Sequence, residues 1–315
     1  MVDPTVGAPP ALALALAIAL AVPGGIAEPV TTTYLDRLGA RQAVTRTVLC
    51  VGLDPHPDSL PEGFSADLVG IEAFGRLVVE VTRDVAAAFK ANLAFFEAFG
   101  SAGVAALERL RATIPPGVPF IADAKRADIG STAERQAVAL FDGLGADAIT
   151  VSPYLGGAAI APLLGRPDRF AYVLCRTSNP GAGEIQDLGV AGPGDVASLP
   201  LHLAVARAVA DWGPGGTVGL VVGATAPAEL ASIRTSAPSL PFLVPGVGAQ
   251  GGSIEPVLAA GPTAPGVPGR RPGGGLLVNV SRGISDAAIG PAGGDPGDRI
   301  AAAAREWASR LPVLP

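Results

Sequence analysis

Eight short apolar runs, separated by amphipathic or Ala-rich stretches from Thr47 onward, constrain this chain more than any other feature. Runs of this length, rich in Val, Ile, Leu and Ala and bounded by Gly, Pro, Asp and Ser, read as buried strands. They fall at residues 48–53, 87–91, 119–124, 148–152, 171–175, 218–222, 242–244 and 275–280. Helices are expected over 67–86, 95–113, 131–144, 199–212, 227–235, 253–259 and 297–310, with a shorter one within 156–164. A strand followed by a crossover, repeated eight times, predicts an α/β fold whose parallel sheet closes on itself, the (β/α)8 TIM barrel. An open doubly wound sheet is the alternative. It wants a Gly-rich turn after the first strand, and Gly52-Leu53-Asp54-Pro55 is not a dinucleotide fingerprint.

The 315 residues, half of them apolar, suffice for one large domain, expected over 34–315. Residues 1–33 read as an N-terminal extension, with a low-complexity Ala/Leu run from Ala11 to Val22. That run is short for a membrane span, and no Lys or Arg precedes it as a signal peptide requires. A net charge of −6 argues against a nucleic-acid or membrane-surface binder, though a local cationic cluster can still hold a small anion. Cys50 and Cys175 sit in apolar runs and read as buried free thiols of a reducing, cytoplasmic compartment. With His56 and His202 the only histidines, neither a zinc site nor a His-based triad is expected. His202 falls in a helical stretch and reads as ordinary, whereas His56 follows a strand end, where it can line a site.

Barrels of this kind carry their chemistry at the carboxyl ends of the strands. Asp54 ends the first strand, Lys90 and Asn92 the second, Ser152 the fourth and Arg176 the fifth. The third ends in Asp123-Ala124-Lys125-Arg126-Ala127-Asp128. A period of two puts Asp123 and Lys125 on one face, with Asp128 just beyond the strand. Two carboxylates and an ammonium so close together are costly as structure and make sense as a preorganised electrostatic site. After the seventh strand, Gly246-Val247-Gly248 can present backbone N–H groups to an anion, with Gln250 adding its amide; after the eighth, Arg282 can pair with a phosphate. The long stretches 178–200 and 260–275 are expected to be lids or binding loops, the second equally an unstructured insert.

These segments, together with Cys50-Val51-Gly52-Leu53-Asp54-Pro55 and Ser178-Asn179-Pro180-Gly181, resemble the orotidine 5′-phosphate decarboxylase family, in its longer bacterial subfamily, from about Tyr34 to the C-terminus. The resemblance implies conversion of orotidine 5′-monophosphate to UMP and CO2 with no cofactor and no metal. It implies catalytic roles for Lys125, Asp123, Lys90 and Asp128, in an alternating Lys90–Asp123–Lys125–Asp128 array. It implies substrate contacts from Asp54 and Asn92, Ser152 at the pyrimidine, and Gln250 and Arg282 at the phosphate. It also implies a homodimer in which Asp128 and Thr132 reach the neighbouring subunit's site. Magnesium-dependent sugar-phosphate enzymes sharing the Asp-x-Lys-x-x-Asp strand, and a non-catalytic nucleotide-phosphate binder, are the competing readings.

Overall fold

The computed structural model describes residues 32–191, 198–289 and 294–314. The extension expected over 1–33 therefore lies outside the described residues, except for Thr32 and Thr33.

Eight parallel strands form the expected closed barrel: β1 (Leu49–Gly52), β2 (Ala88–Asn92), β3 (Phe120–Arg126), β4 (Ala148–Val151), β5 (Phe170–Arg176), β6 (Val218–Val222), β7 (Phe242–Val244) and β8 (Leu277–Val280). Each pairs with its sequence neighbour, and β1 closes the barrel on β8 through Leu49–Val278, Cys50–Asn279 and Val51–Val280. Strands buried on both faces need no polar alternation, which is why their sequences read as continuous apolar runs. One face packs on the surrounding helices; the other fills the interior with Cys50, Ala88, Ile121, Tyr172, Val221, Leu243 and Leu277. Burial pushes the Cys50 and Cys175 thiols up to about 12, as inert interior side chains.

The principal helices are α1 (Tyr34–Thr45), α2 (Leu68–Thr82), α3 (Gly100–Arg111), α4 (Gly130–Ala137), α5 (Gly157–Leu164), α6 (Leu201–Ala210), α7 (Pro227–Ser236), α8 (Ile254–Ala260) and α9 (Pro296–Arg310). The helix expected over 95–113 is two pieces, because Gly100 takes φ of 63° and separates the turn Ala94–Glu97 from α3. That expected over 131–144 ends as a π turn, Val138–Gly143.

Helix α1 was not expected from the hydrophobic pattern. It starts at a capping box, Thr33 with Asp36, and lays Tyr34, Leu35 and Leu38 across the amino-terminal end of the barrel. Tyr34 stacks on Phe170 with centroids 4.8 Å apart, and its hydroxyl meets that of Tyr172 at 3.1 Å inside the core. Arg37 ties the helix to the barrel, donating to Asp147 Oδ1 at 3.0 Å and to the Asp168 carbonyl at 2.9 Å.

The stretch 260–275 is neither an unstructured insert nor a lid. It leads into the amino-terminal end of β8, and Arg271 pairs with Asp36 of α1, Nε to Oδ1 at 2.8 Å. Gln42 of α1 donates to the Leu276 carbonyl at 2.6 Å. Nearby, the buried Arg234 guanidinium donates to five carbonyls, those of Ala237, Pro238, Leu240, Ala260 and Gly261, and lies 3.7 Å from the Phe242 ring centroid. All of this strengthens the end of the barrel opposite the site.

Candidate active site

At the carboxyl ends of the strands lies a cavity of about 790 Å3, within the range of small-molecule sites. Its floor is a line of alternating charge. Lys90, carried by β2 and 5% exposed, donates from Nζ to Asp123 Oδ2 at 3.0 Å and lies 3.6 Å from Asp54 Oδ2. Lys125 Nζ reaches the other oxygen of Asp123 at 2.6 Å, and its side chain is 46% exposed. Asp54 is fixed by two further bonds: the Asn92 N–H donates to Oδ1 at 2.7 Å and the Ser281 hydroxyl to Oδ2 at 2.6 Å. Three strand ends, those of β1, β2 and β8, are thus clasped by one carboxylate. Gly52 makes room for this, because a Cβ there would sit 1.7 Å from Ser281 Oγ.

The sequence places Asp123 and Lys125 on one face of a regular strand; the structure brings them together differently. Ala122 pairs with Ile149 and Arg126 with Val151, so β3 bulges between these pairs, opposite Thr150. Lys125 takes the left-handed conformation, φ 49°, sparsely populated for a residue with a Cβ. Thr150 fills the gap in the ladder: its Oγ1 accepts from the Lys125 N–H at 2.9 Å and donates to Asp123 Oδ1 at 2.8 Å.

These contacts set the charges. Burial works against ionisation of Asp123, but the Lys90 and Lys125 ammonium groups, with hydrogen bonds from Lys125 and Thr150, outweigh it and hold the carboxyl well below its ordinary range. Burial likewise opposes the charge of Lys90, and the carboxylates of Asp123 and Asp54 outweigh it and raise its pKa. The result is a pair of fixed charges beneath a lysine that alone in the array is half open to the cavity.

The upper wall comes from loops. After β5, Thr177, Ser178, Asn179 and Gln186 line the cavity, so the first part of the 178–200 stretch forms one of its walls. It is held from behind: Asp187 accepts from Arg176 at 2.9 and 3.0 Å and contacts His202 Nδ1 at 3.1 Å, and the same nitrogen lies 2.9 Å from the Gln186 carbonyl oxygen. His202 is thus a buried clasp. His56 lines the rim, where its Nδ1 accepts from the Asp58 N–H at 3.3 Å and caps a short turn. Opposite, Gly246, Gln250 and Arg282 line the cavity from the loops after β7 and β8; both long side chains are exposed, and Arg282 has no ion-pair partner among the described residues. Among those residues, no group of three or more His, Cys, Asp or Glu side chains is arranged to hold a metal ion.

Seven of the ten expected site residues therefore converge: Asp54, Lys90, Asn92, Asp123, Lys125, Gln250 and Arg282. Asp128, Thr132 and Ser152 do not line this cavity. Asp128 lies beyond the bulge, its Oδ1 accepting from the Ile129 N–H at 2.8 Å; Thr132 is exposed on the first turn of α4; Ser152 is half-buried past the end of β4. Within one chain the acid completing the charged line is Asp54, not Asp128. Thr150 and Ser281 were not singled out as site residues. A lone Thr in an apolar strand carries no signal beyond β-propensity.

A closed (β/α)8 barrel with a line of alternating charge at the carboxyl ends of its strands has the architecture of a barrel enzyme. Residues 47–293 match the model of the orotidine 5′-phosphate decarboxylase / HUMPS family, and the chain belongs to that family. It is 49% identical over 264 residues to the orotidine 5′-phosphate decarboxylase of Roseiflexus castenholzii, covering 84% of this chain and 90% of that one. Among solved structures, the Leishmania donovani OMP decarboxylase superposes with a TM-score of 0.72 at 39% identity, over 88% of this chain and 96% of that one. The Leishmania donovani UMP synthase gives 0.74 at 41% identity over 89% of this chain, which spans 56% of the synthase's length. No helix among the described residues is long and apolar enough to cross a membrane.

Proposed function

We propose that this chain decarboxylates orotidine 5′-monophosphate to UMP and CO2, in the cytoplasm and without metal or cofactor, as a step of pyrimidine nucleotide synthesis. The observation that carries the reading is the half-exposed Lys125 ammonium 2.6 Å from a carboxylate whose second oxygen is held by the buried Lys90. Loss of CO2 from C6 of the pyrimidine leaves an electron pair with no adjacent π-acceptor, so a protein acting alone must supply the stabilising charge. Lys125 faces that pair and then donates its proton to C6. Asp123 lies by the departing carboxylate, and Lys90 holds Asp123 ionised and in place. Asp54 and Lys90 bind ribose together with Asn92, while Gln250, Arg282 and the Gly246–Gly248 backbone take the phosphate. Binding energy from that remote phosphate then organises the charged floor.

Ser152 contacts the pyrimidine edge once substrate draws the β4 loop inward. Asp128 and Thr132 serve the site of a second copy in a homodimer. Supporting this, they stand beside the exposed apolar side chains Ile129, Tyr154 and Leu155, on the neighbouring loops after β3 and β4.

The test is the ultraviolet absorbance change on adding orotidine 5′-monophosphate to purified protein in EDTA, beside Lys125→Ala. Turnover by the wild type, nearly abolished in the folded variant, is the expected result. Substantial turnover in the variant overturns the role of Lys125, and activity lost only in EDTA favours a magnesium-dependent reaction.

A further inference from the structure

Trp307 lies on α9, outside the cavity lining, yet its indole touches both loops that face the phosphate end. Its Nε1–H donates to the Gly283 carbonyl at 2.9 Å. A Cβ at Gly283 would lie 2.9 Å from the same nitrogen, and one at Gly248 3.0 Å from the far edge of the ring. Gly283 adjoins Arg282 and Gly248 is two residues from Gln250, so one rigid ring is wedged behind both anion-facing side chains. Gly248 holds φ of 80°, so a side chain there meets backbone strain as well as the indole. The wedge has a firm seat. Helix α9 begins at the Asp295 cap and buries Ile300 and Ala304, while Arg310 covers the indole with its guanidinium 4.5 Å from the ring.

We propose that Trp307 is a positioning residue that sets the spacing of the loops after β7 and β8, and through it the discrimination between phosphorylated and unphosphorylated ligands. The inference rests on the reading above that these loops take the 5′-phosphate. Two loops that must close on one tetrahedral anion lose affinity when their separation drifts, because the second set of donors no longer reaches the oxygens the first has fixed. The expected ribose contacts, Asp54, Lys90 and Asn92, come from the ends of β1 and β2, whereas the Trp307 hydrogen bond goes to Gly283 beside Arg282, so the effect falls chiefly on the phosphate.

The experiment measures inhibition of turnover by UMP and by uridine for wild type, Trp307→Ala, Trp307→Phe and Arg282→Ala, with thermal unfolding to verify folding. The expected result is about tenfold weaker UMP inhibition in Trp307→Ala and a smaller loss in Trp307→Phe, which keeps an aromatic ring but loses the donor and part of the indole's reach, while uridine inhibition moves less than about twofold. A structural role alone weakens both ligands together. If both tryptophan variants keep the wild-type ratio of the two constants while Arg282→Ala collapses it, the proposal is overturned and the phosphate reading stands. If wild type shows no preference for UMP over uridine, the phosphate reading itself fails. Trp307→Phe decides the matter should the alanine variant not fold.

Discussion

The Thr150 hydroxyl donates to Asp123 at 2.8 Å while accepting the backbone N–H of Lys125 at 2.9 Å, so one side chain of β4 fixes both members of the Asp123–Lys125 ion pair. Thr150→Val keeps the shape and removes both bonds. Leaving the Lys125 N–H unpaired and Asp123 short of a donor costs about 1–3 kcal/mol. The expected outcome is a kcat/KM lowered about tenfold or more, with Thr150→Ser restoring most of it. Steady-state kinetics of the two variants check this.

Lys90 and Lys125 touch the same carboxylate and should nonetheless respond differently to removal. Lys90 is 5% exposed between two acids, so Lys90→Met strips Asp54 of its ammonium partner and leaves Asp123 with only the half-exposed Lys125. Breaking a buried ion pair in this way costs about 3–5 kcal/mol. Lys125 is half exposed, and Lys125→Ala should shift the urea midpoint little while stopping turnover. Equal destabilisation by the two variants would contradict the assignment of buried and cavity-facing roles.

The direction of each pKa shift fixes how stability varies with pH. Asp123 is depressed in the folded state, so its contribution is complete above the unfolded value of about 4 and is lost as pH falls below that. Lys90 is raised, so its contribution is complete below about 10.4 and is lost as pH climbs through its folded value. Urea titrations of wild type and Asp123→Asn should show a constant difference across neutral pH that narrows below about pH 4.

Asp187 braces the cavity wall by holding Arg176 and His202 behind Gln186. It is partly exposed, so Asp187→Ala is expected to cost only about 1 kcal/mol of stability. The freed wall should appear as a KM raised several-fold with kcat changed less. A variant with unaltered KM would show that the wall stands without the clasp.

Among the described residues Arg234 has no acidic partner; five carbonyl oxygens take its place. Arg234→Met strands those acceptors and is expected to lower stability by about 3 kcal/mol without changing KM, since the residue lies at the far end of the barrel from the cavity. Thermal unfolding together with kinetics checks both halves.

The barrel was legible because its strands are buried on both faces, and the eight apolar runs match β1–β8 to within about two residues. Helix α1 was hidden because Tyr34–Thr45 is polar overall and buries only a narrow face; its one local mark is the Thr33–Asp36 capping box. The charged floor was visible in the residue types at the strand ends, but not the bulge that brings Lys125 beside Asp123, since backbone pairing between β3 and β4 leaves no trace in either strand alone. Trp307 was invisible for a related reason: its partners are the backbones of Gly248 and Gly283, which carry no side-chain pattern to match. Stretch 260–275 misled by composition, its Pro and Gly content suggesting mobility where Arg271 in fact anchors it to Asp36.

Closure of β1 on β8 gives the molecule an order of assembly. During synthesis the open edge of β1 waits for nearly the whole chain to emerge before Leu49 can meet Val278. Asp54 waits with it, because Ser281, the donor to its Oδ2, arrives just after β8. The last hydrogen bonds to form around the barrel seam are therefore among those that complete the charged floor. A nascent or truncated chain lacking its final strand has most of its core and an unfinished site, so completion of the fold and onset of activity become a single event.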